Sequence, residues 1–236
     1  YKVQIISKNF SEAITSIEGM KNSATEDELR LLNYYQLFAK AKRHGNFQKE
    51  FKNLYTNYLK ASDDVHIIDL DLIFVVRDRT ARYIADFKRA YRKASSGNIG
   101  VKEAQKLLYT YLLKMVFSTT KDIVSEAINL DHKRRYTVND SIIIPLKDGA
   151  EISAVLVKRK GNPAHGSTLL AFSIYAEKNH LWAMLSASKG YIGVIANTRG
   201  KRLSRGEVVP FDHENTDVYE VLDWISKQPW SDQKIG

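Results

Sequence analysis

The chain has 236 residues, 44% of them hydrophobic and 27% charged, with a formal net charge of +9. This composition excludes a disordered or fibrous polymer, and no apolar run approaches the ~18 residues of a membrane-spanning helix. The absence of cysteine excludes disulfides, thiolate metal sites and a cysteine nucleophile.

The first half carries no proline: all four (Pro145, Pro163, Pro210 and Pro229) follow Arg135, as do eight of the twelve glycines. Apolar residues three and four apart over that proline-free stretch predict consecutive helices. Thr25-Glu26-Asp27-Glu28 has the pattern of a capping box, opening a helix whose stripe is Leu29, Leu32, Tyr35 and Phe38–Ala39. Asn46 is placed to cap the next, with Phe47, Phe51, Leu54, Tyr58 and Leu59 on its inner face. Ile73, Val76, Thr80, Ile84, Phe87 and Tyr91 predict a third helix, ended by Ser95-Ser96-Gly97. Leu108, Tyr111, Leu112 and Met115, then Ile123, Ala127 and Leu130, predict a fourth. Short connections favour antiparallel packing, hence a helical bundle over residues 1–135.

In that region Arg77, Arg79, Arg82, Lys88, Arg89, Arg92 and Lys93 alternate with Tyr83, Phe87 and Tyr91. Aromatics and bases fall on opposite helix faces, as an amphipathic surface helix requires. With basic residues scattered through every other segment as well, the charge reads as a solvated surface. Neither a nucleic-acid partner nor a membrane is expected.

After Arg135 the period changes. Ser141–Leu146, a Lys147-Asp148-Gly149 turn and Glu151–Lys158 predict a β-hairpin, since Asp-Gly suits a tight turn with positive φ. A loop at Gly161–Gly166 leads to Thr168–Tyr175, an apolar run expected to be a strand buried on both faces. Asn179–Lys189 reads as a helix stopped by Gly190, Tyr191–Ala196 as a second buried strand, and Val218, Val221, Leu222 and Ile225 as the inner face of a last helix. Strands alternating with helices predict a mostly parallel sheet with helical cover over residues 136–236. Ligands bind beyond the carboxyl ends of such strands, which singles out Ser173-Ile174-Tyr175-Ala176-Glu177 and Asn197-Thr198-Arg199-Gly200.

Four stretches in this half resemble, in order and spacing, the serine hydrolase family of cocaine esterase, α-amino-acid ester hydrolases and bacterial Xaa-Pro dipeptidyl-peptidases. Ile144-Pro145-Leu146-Lys147-Asp148-Gly149 resembles the family's opening hairpin, and Thr168–Tyr175 its strand ending in the oxyanion-loop tyrosine. Gly190-Tyr191 through Arg199-Gly200, with Ser204 and Gly206, is similar to the third motif. Asp217 through Asp223-Trp224-Ile225, then Gln228-Pro229-Trp230-Ser231-Asp232 and Ile235-Gly236, resembles the fourth.

The resemblance implies an α/β protein: the helical bundle followed by an incomplete α/β-hydrolase domain, a hairpin plus parallel strands with covering helices. It implies a serine hydrolase that cleaves a small ester or peptide substrate, Xaa-Pro dipeptidyl bonds among them, through an acyl-enzyme and without cofactor or metal. In the family the nucleophile elbow follows, then the acid and the histidine. The chain is therefore expected to be cut, at Tyr1 and again at Gly236 just before the elbow strand, to lack the triad and to be inactive alone. The apolar strand would then have an unpaired edge and the fragment would be poorly soluble or self-associate. The resemblance and the missing leader lean towards export or a periplasmic location.

Tyr175 matches the residue whose phenol donates to the developing oxyanion; a phenol stays protonated at neutral pH and so can donate. Thr198, Arg199, Gly200 and Ser204 are expected to be loop scaffold beside the site. Asn197 departs from the family's Asp and brings no charge to orient Arg199. Trp224 and Trp230 are expected to be packing residues. The six histidines (His44, His66, His132, His165, His180 and His213) match no catalytic position and are read as surface or loop residues. A second class of function also fits the sequence: a non-catalytic helical interaction module on a degenerate hydrolase scaffold.

Overall fold

The computed structural model describes residues 1–236 except 96, 98, 176–179 and 210. The chain divides into two compact units, Tyr1–Asp131 and His132–Gly236.

The first unit is helical: α1 (Lys2–Ile6), α2 (Phe10–Lys21), α3 (Glu26–Lys42), α4 (Phe47–Ala61), α5 (Asp64–Asp71), a π-helical turn (Leu72–Val76), α6 (Thr80–Ala94) and α7 (Val101–Arg135), whose last turn, from His132, belongs to the second unit. Side chains start three of these helices by accepting amide hydrogens that a first turn leaves unpaired. The Thr25 hydroxyl and the Glu28 carboxylate form a reciprocal capping box on α3. Asn46 accepts from the Lys49 N–H (3.2 Å) and Asp63 from the His66 N–H (2.8 Å). The core is aromatic: Tyr34 stacks on Phe74 with ring centroids 4.5 Å apart and meets Phe51 and Tyr55 edge-on. The buried Tyr34 hydroxyl is satisfied by the hydroxyl of Thr120 on α7. Asp71 is buried at the end of α5, and burial pushes its carboxyl up to about 6.

Several sequence expectations are corrected here. α1 and α2 lie in the part of the expected bundle, before Thr25, where the sequence delimits no individual helix. The single third helix is interrupted: after the π turn the chain restarts at Thr80, whose N–H donates to the Asp78 carboxylate (2.8 Å). The stripe read across that break is consequently only partly buried, with Ile73, Val76 and Tyr91 exposed. On α7 the inner face is Leu112, Val116, Phe117, Val124, Ala127 and Ile128, while Leu108, Tyr111 and Leu130 are exposed. His132 is not a surface or loop residue: it is buried on α7, its ring edge-on to Tyr136. His66 lies within α5 and hydrogen-bonds the Tyr58 hydroxyl at 2.5 Å. Ser96, part of the expected helix stop, lies outside the described residues.

The second unit is a mixed five-stranded sheet built from β1 (Tyr136–Pro145), β2 (Glu151–Arg159), β3 (Gly166–Ser173), β4 (Ile192–Asn197) and β5 (Ser231–Ile235), in the order β1-β2-β4-β3-β5. β1 and β2 form the expected hairpin, turning through Gly149 at φ +87°. β2 runs antiparallel to β4, whereas β3 is parallel to both β4 and β5. Among the described residues two helices cover the sheet. α9 (Glu214–Ser226) presses Val221 and Ile225 onto Ile152, Ala154, Ile192, Val194 and Ala196, each such side chain contributing roughly 2 kcal/mol by leaving water. α8 (Leu181–Ser188) packs on the opposite face at Gly193, where a Cβ would lie 2.1 Å from the Ala183 carbonyl oxygen. The expected start of α8 at Asn179 lies outside the described residues.

Two strand expectations change. β3 is not buried on both faces: Thr168 alone along it is fully buried and the rest is half-buried. Nor is its edge open throughout, because β5 pairs alongside. The Gly166 N–H donates to the Trp230 carbonyl (3.1 Å), the Gly236 N–H to that of Thr168 (3.0 Å) and the Leu170 N–H to that of Gly236 (2.8 Å). Ser231-Asp232-Gln233-Lys234 is polar and mostly solvent-facing, so its sequence carries no strand pattern; a strand at a sheet margin needs no apolar run.

Candidate active site at the carboxyl rim of the sheet

β3 and β4 are parallel and their carboxyl ends share one rim of the sheet, towards which β5 also runs, its Ile235 lying beside Thr168. At that rim Ser173 pairs with Asn197. The Thr198 N–H donates to the Ser173 carbonyl (3.1 Å), locking the two strand ends together. Tyr175 stands two residues beyond β3 and is 73% exposed. Its N–H donates to Ser173 Oγ (2.9 Å), which fixes the backbone from which the phenol projects. A cavity of about 390 Å³ lies here, lined by Phe172, Ser173, Tyr175, Trp182 and Ile195. Ala176 and Glu177, expected to continue this passage, lie outside the described residues.

The passage after β4 is held by charge. The Arg199 guanidinium donates two hydrogen bonds to Asp217, Nε to Oδ2 (2.7 Å) and Nη2 to Oδ1 (2.6 Å), and a third from Nη1 to Asp148 Oδ2 (2.6 Å). The Asp217 side chain is 2% exposed, those of Arg199 and Asp148 17% and 53%. The bond to Asp217, above all, raises Arg199 beyond its ordinary value. Asp148 is lowered, first by the Ala150 N–H and then by Arg199. One arginine thus ties the hairpin turn, the loop after β4 and the first turn of α9.

A second tie runs beside it. Glu214 Oε1 accepts from Thr198 Oγ1 (3.0 Å) and from the Phe211 N–H (2.9 Å). Burial alone would raise the Glu214 carboxyl, but these bonds outweigh it and the group sits below its usual range. Gly200 has φ +71°, and a Cβ there would lie 2.6 Å from the Gly206 carbonyl oxygen, so the loop folds back on a position only glycine fills. Ser204 Oγ donates to the Lys201 carbonyl (2.7 Å). Thr198, Arg199, Gly200 and Ser204 therefore all make contacts internal to this unit, and Tyr175 alone among the expected site residues presents its side chain to solvent.

Asn197 is fully buried and donates to the Ser153 carbonyl (3.2 Å); the charge it lacks is supplied to Arg199 by Asp217 and Asp148. No sequence signal marks either aspartate as a partner of Arg199, or Glu214 as a partner of Thr198. A carboxylate in a first helical turn reads simply as a favourable partner for the helix dipole. Trp224 and Trp230 pack on the α9 side of the core with ring centroids 6.3 Å apart. Among the described residues no three His, Cys, Asp or Glu side chains gather as a metal site, and no helix is long and apolar enough to cross a membrane.

A helical region followed by a mixed sheet in this order, with helices on both faces, defines part of an α/β-hydrolase. Residues 116–236, just over half of the chain, match the family model described as X-Pro dipeptidyl-peptidase (S15 family), and the chain belongs to that family. It is 28% identical over 107 residues to cocaine esterase of Rhodococcus sp. (strain MB1 Bresler), covering 43% of this chain and 19% of that protein. The chain thus spans about a fifth of the length of this curated relative. Among solved structures, a CocE/NonD family hydrolase from Staphylococcus aureus is similar over 42% of this chain and 22% of its own, with 19% identity and a TM-score of 0.37. An α-amino acid ester hydrolase is similar over 43% and 20%, with 26% identity and a TM-score of 0.36.

Proposed function

We propose that this chain is the N-terminal portion of a serine hydrolase that cleaves ester or peptide bonds, Xaa-Pro dipeptidyl bonds among them, through an acyl-enzyme. Tyr175 donates its phenol O–H to the oxyanion of the tetrahedral intermediate. The nucleophilic serine, the acid and the histidine come from sequence beyond Gly236, with the serine at the end of the strand that β5 begins. Residues 1–236 alone are then inactive.

The observation that carries this reading is the exposed Tyr175 on the carboxyl rim, its backbone anchored to Ser173, with β5 running parallel to β3 towards the same rim. A donor fixed before charge develops needs no reorganisation as the reaction proceeds, and such a donor is worth roughly 3–4 kcal/mol of barrier. The Arg199–Asp217–Asp148 and Thr198–Glu214 ties serve as scaffold for the loop after β4.

Two measurements test this. A fluorophosphonate probe applied to the intact protein should label a serine shortly after Gly236; no labelled serine would refute the hydrolase reading. Tyr175→Phe should lower kcat by about 10²-fold or more with KM little changed. An unaltered kcat would remove the oxyanion role while leaving the hydrolase reading in place.

A further inference from the structure

The helical unit has a groove of its own. α6 and the first turns of α7 enclose a cleft of about 780 Å³. Six bases line it, Arg79, Arg82, Arg89 and Lys93 from the α6 side and Lys102 and Lys106 from α7, against two acids, Asp86 and Glu103. The α6 positions recur at intervals of three and four residues, which places them along one side of the helix. Asp86 pairs with Arg89 and, more loosely, with Arg82 (3.8 Å), and Glu103 pairs with Lys93 (3.3 Å). Arg79, Lys102 and Lys106 form no ion pair among the described residues. The cleft therefore keeps a surplus of positive charge after its internal pairs are counted, and its cations are well exposed, Arg82 and Arg89 at 73% and 75%.

We infer that this groove binds an extended acidic peptide segment, independently of any hydrolase chemistry. From Arg79 to Lys93 the wall runs about 21 Å, the length of roughly six residues of extended chain. Cations on both walls suit carboxylates projecting alternately to either side of such a strand. Two features favour a peptide over a nucleic acid. Single-stranded nucleic acid needs exposed aromatic faces for base stacking, but of the two aromatics lining the cleft the Tyr83 ring lies against Phe117, with centroids 4.9 Å apart, and the Tyr109 ring has the Lys2 ammonium over it, 4.8 Å from the centroid. Asp86 and Glu103 would repel a continuous run of phosphates, whereas their free lone pairs can accept peptide N–H groups.

The test is fluorescence anisotropy of a labelled octa-glutamate peptide with the full chain. Saturable binding is expected, weakening steeply between about 0.05 M and about 0.2 M salt as screening shortens the reach of the charges. Arg82→Glu with Lys106→Glu should reduce affinity at least about tenfold. Lys49→Glu with Lys60→Glu on α4, which changes net charge equally away from the cleft, should have little effect. Should the reversed pair disturb the helices, as circular dichroism would reveal, Arg82→Gln with Lys106→Gln should still weaken binding relative to the α4 variant. Equal losses in the groove and α4 variants would overturn the proposal, since they would mean attraction by net charge alone. So would the absence of saturable binding, or tighter binding of a single-stranded oligonucleotide of equal charge.

Discussion

The Arg199–Asp217 pair offers a measurement of what holds the rim together. Asp217→Ala removes two charge-assisted hydrogen bonds of 2.6 and 2.7 Å and leaves a largely buried guanidinium with Asp148 as its remaining carboxylate. Breaking a fully buried pair commonly costs 3–5 kcal/mol, mostly because a charge stays buried without its partner. Arg199 keeps one half-exposed partner and some water, so the expected loss is about 2–3 kcal/mol. All three tryptophans, Trp182, Trp224 and Trp230, lie in the second unit, so tryptophan fluorescence follows unfolding of that unit separately from the helical one. With a urea dependence of about 1–3 kcal/mol per molar, the midpoint should fall by about 1–2 M. Asp148→Ala, which removes the solvent-screened bond to Arg199 and the exposed turn bond from the Ala150 N–H (3.0 Å), should shift the midpoint by less than half as much. Equal shifts for the two variants would refute the argument that burial of Asp217 sets the strength of the tie.

Two further predictions follow from packing and charge. Gly193→Ala forces a methyl to within 2.1 Å of the Ala183 carbonyl oxygen; backbone offers no rotamer to relieve the clash, so the same fluorescence assay should register a loss of about 3 kcal/mol or more, and an unchanged midpoint would mean that α8 slides freely on the sheet. Asp71 ionises near 6 in the folded state, raised by burial from 3.8. The folded protein therefore holds this proton more tightly than the unfolded chain. The penalty is full above pH 6, falls as pH drops through 6, and is gone below about pH 4. Asp71→Asn should stabilise the helical unit by up to about 3 kcal/mol at pH 8, a gain that disappears towards pH 4 when unfolding is followed by circular dichroism; parallel pH profiles for variant and parent would contradict this.

Local chemistry made much of the fold readable. Asp148-Gly149 between two alternating runs could hardly be anything but a hairpin turn, and Ile192–Asn197, buried along its whole length, is apolar enough to announce itself. The capping residues Thr25 and Asn46 mark helix starts because their side chains act within three residues. What could not be read depends on partners distant in sequence. β5 is polar and becomes a strand only because β3 offers it a template. The interruption between Val76 and Thr80 leaves no mark in the pattern, since Ile73, Val76 and Thr80 keep helical spacing across it. Phe10, Ala13, Ile14 and Ile17 also have that spacing, yet no side chain caps α2 to signal its start. At the rim, Tyr175 is legible from its place after a strand. The partners of Arg199 are not, lying 51 residues before it and 18 after it, with no periodicity to connect them.

The strand order imposes a timetable on synthesis. β4 sits between β2 and β3 although it is translated after both, so on the ribosome the hairpin and β3 emerge with the slot between them unfilled. Neither can complete its hydrogen bonds until Ile192–Asn197 clears the exit tunnel and inserts. A nascent chain paused in the α8 region would present two ready-made templates to its neighbours, and that interval is when a chaperone has most to protect.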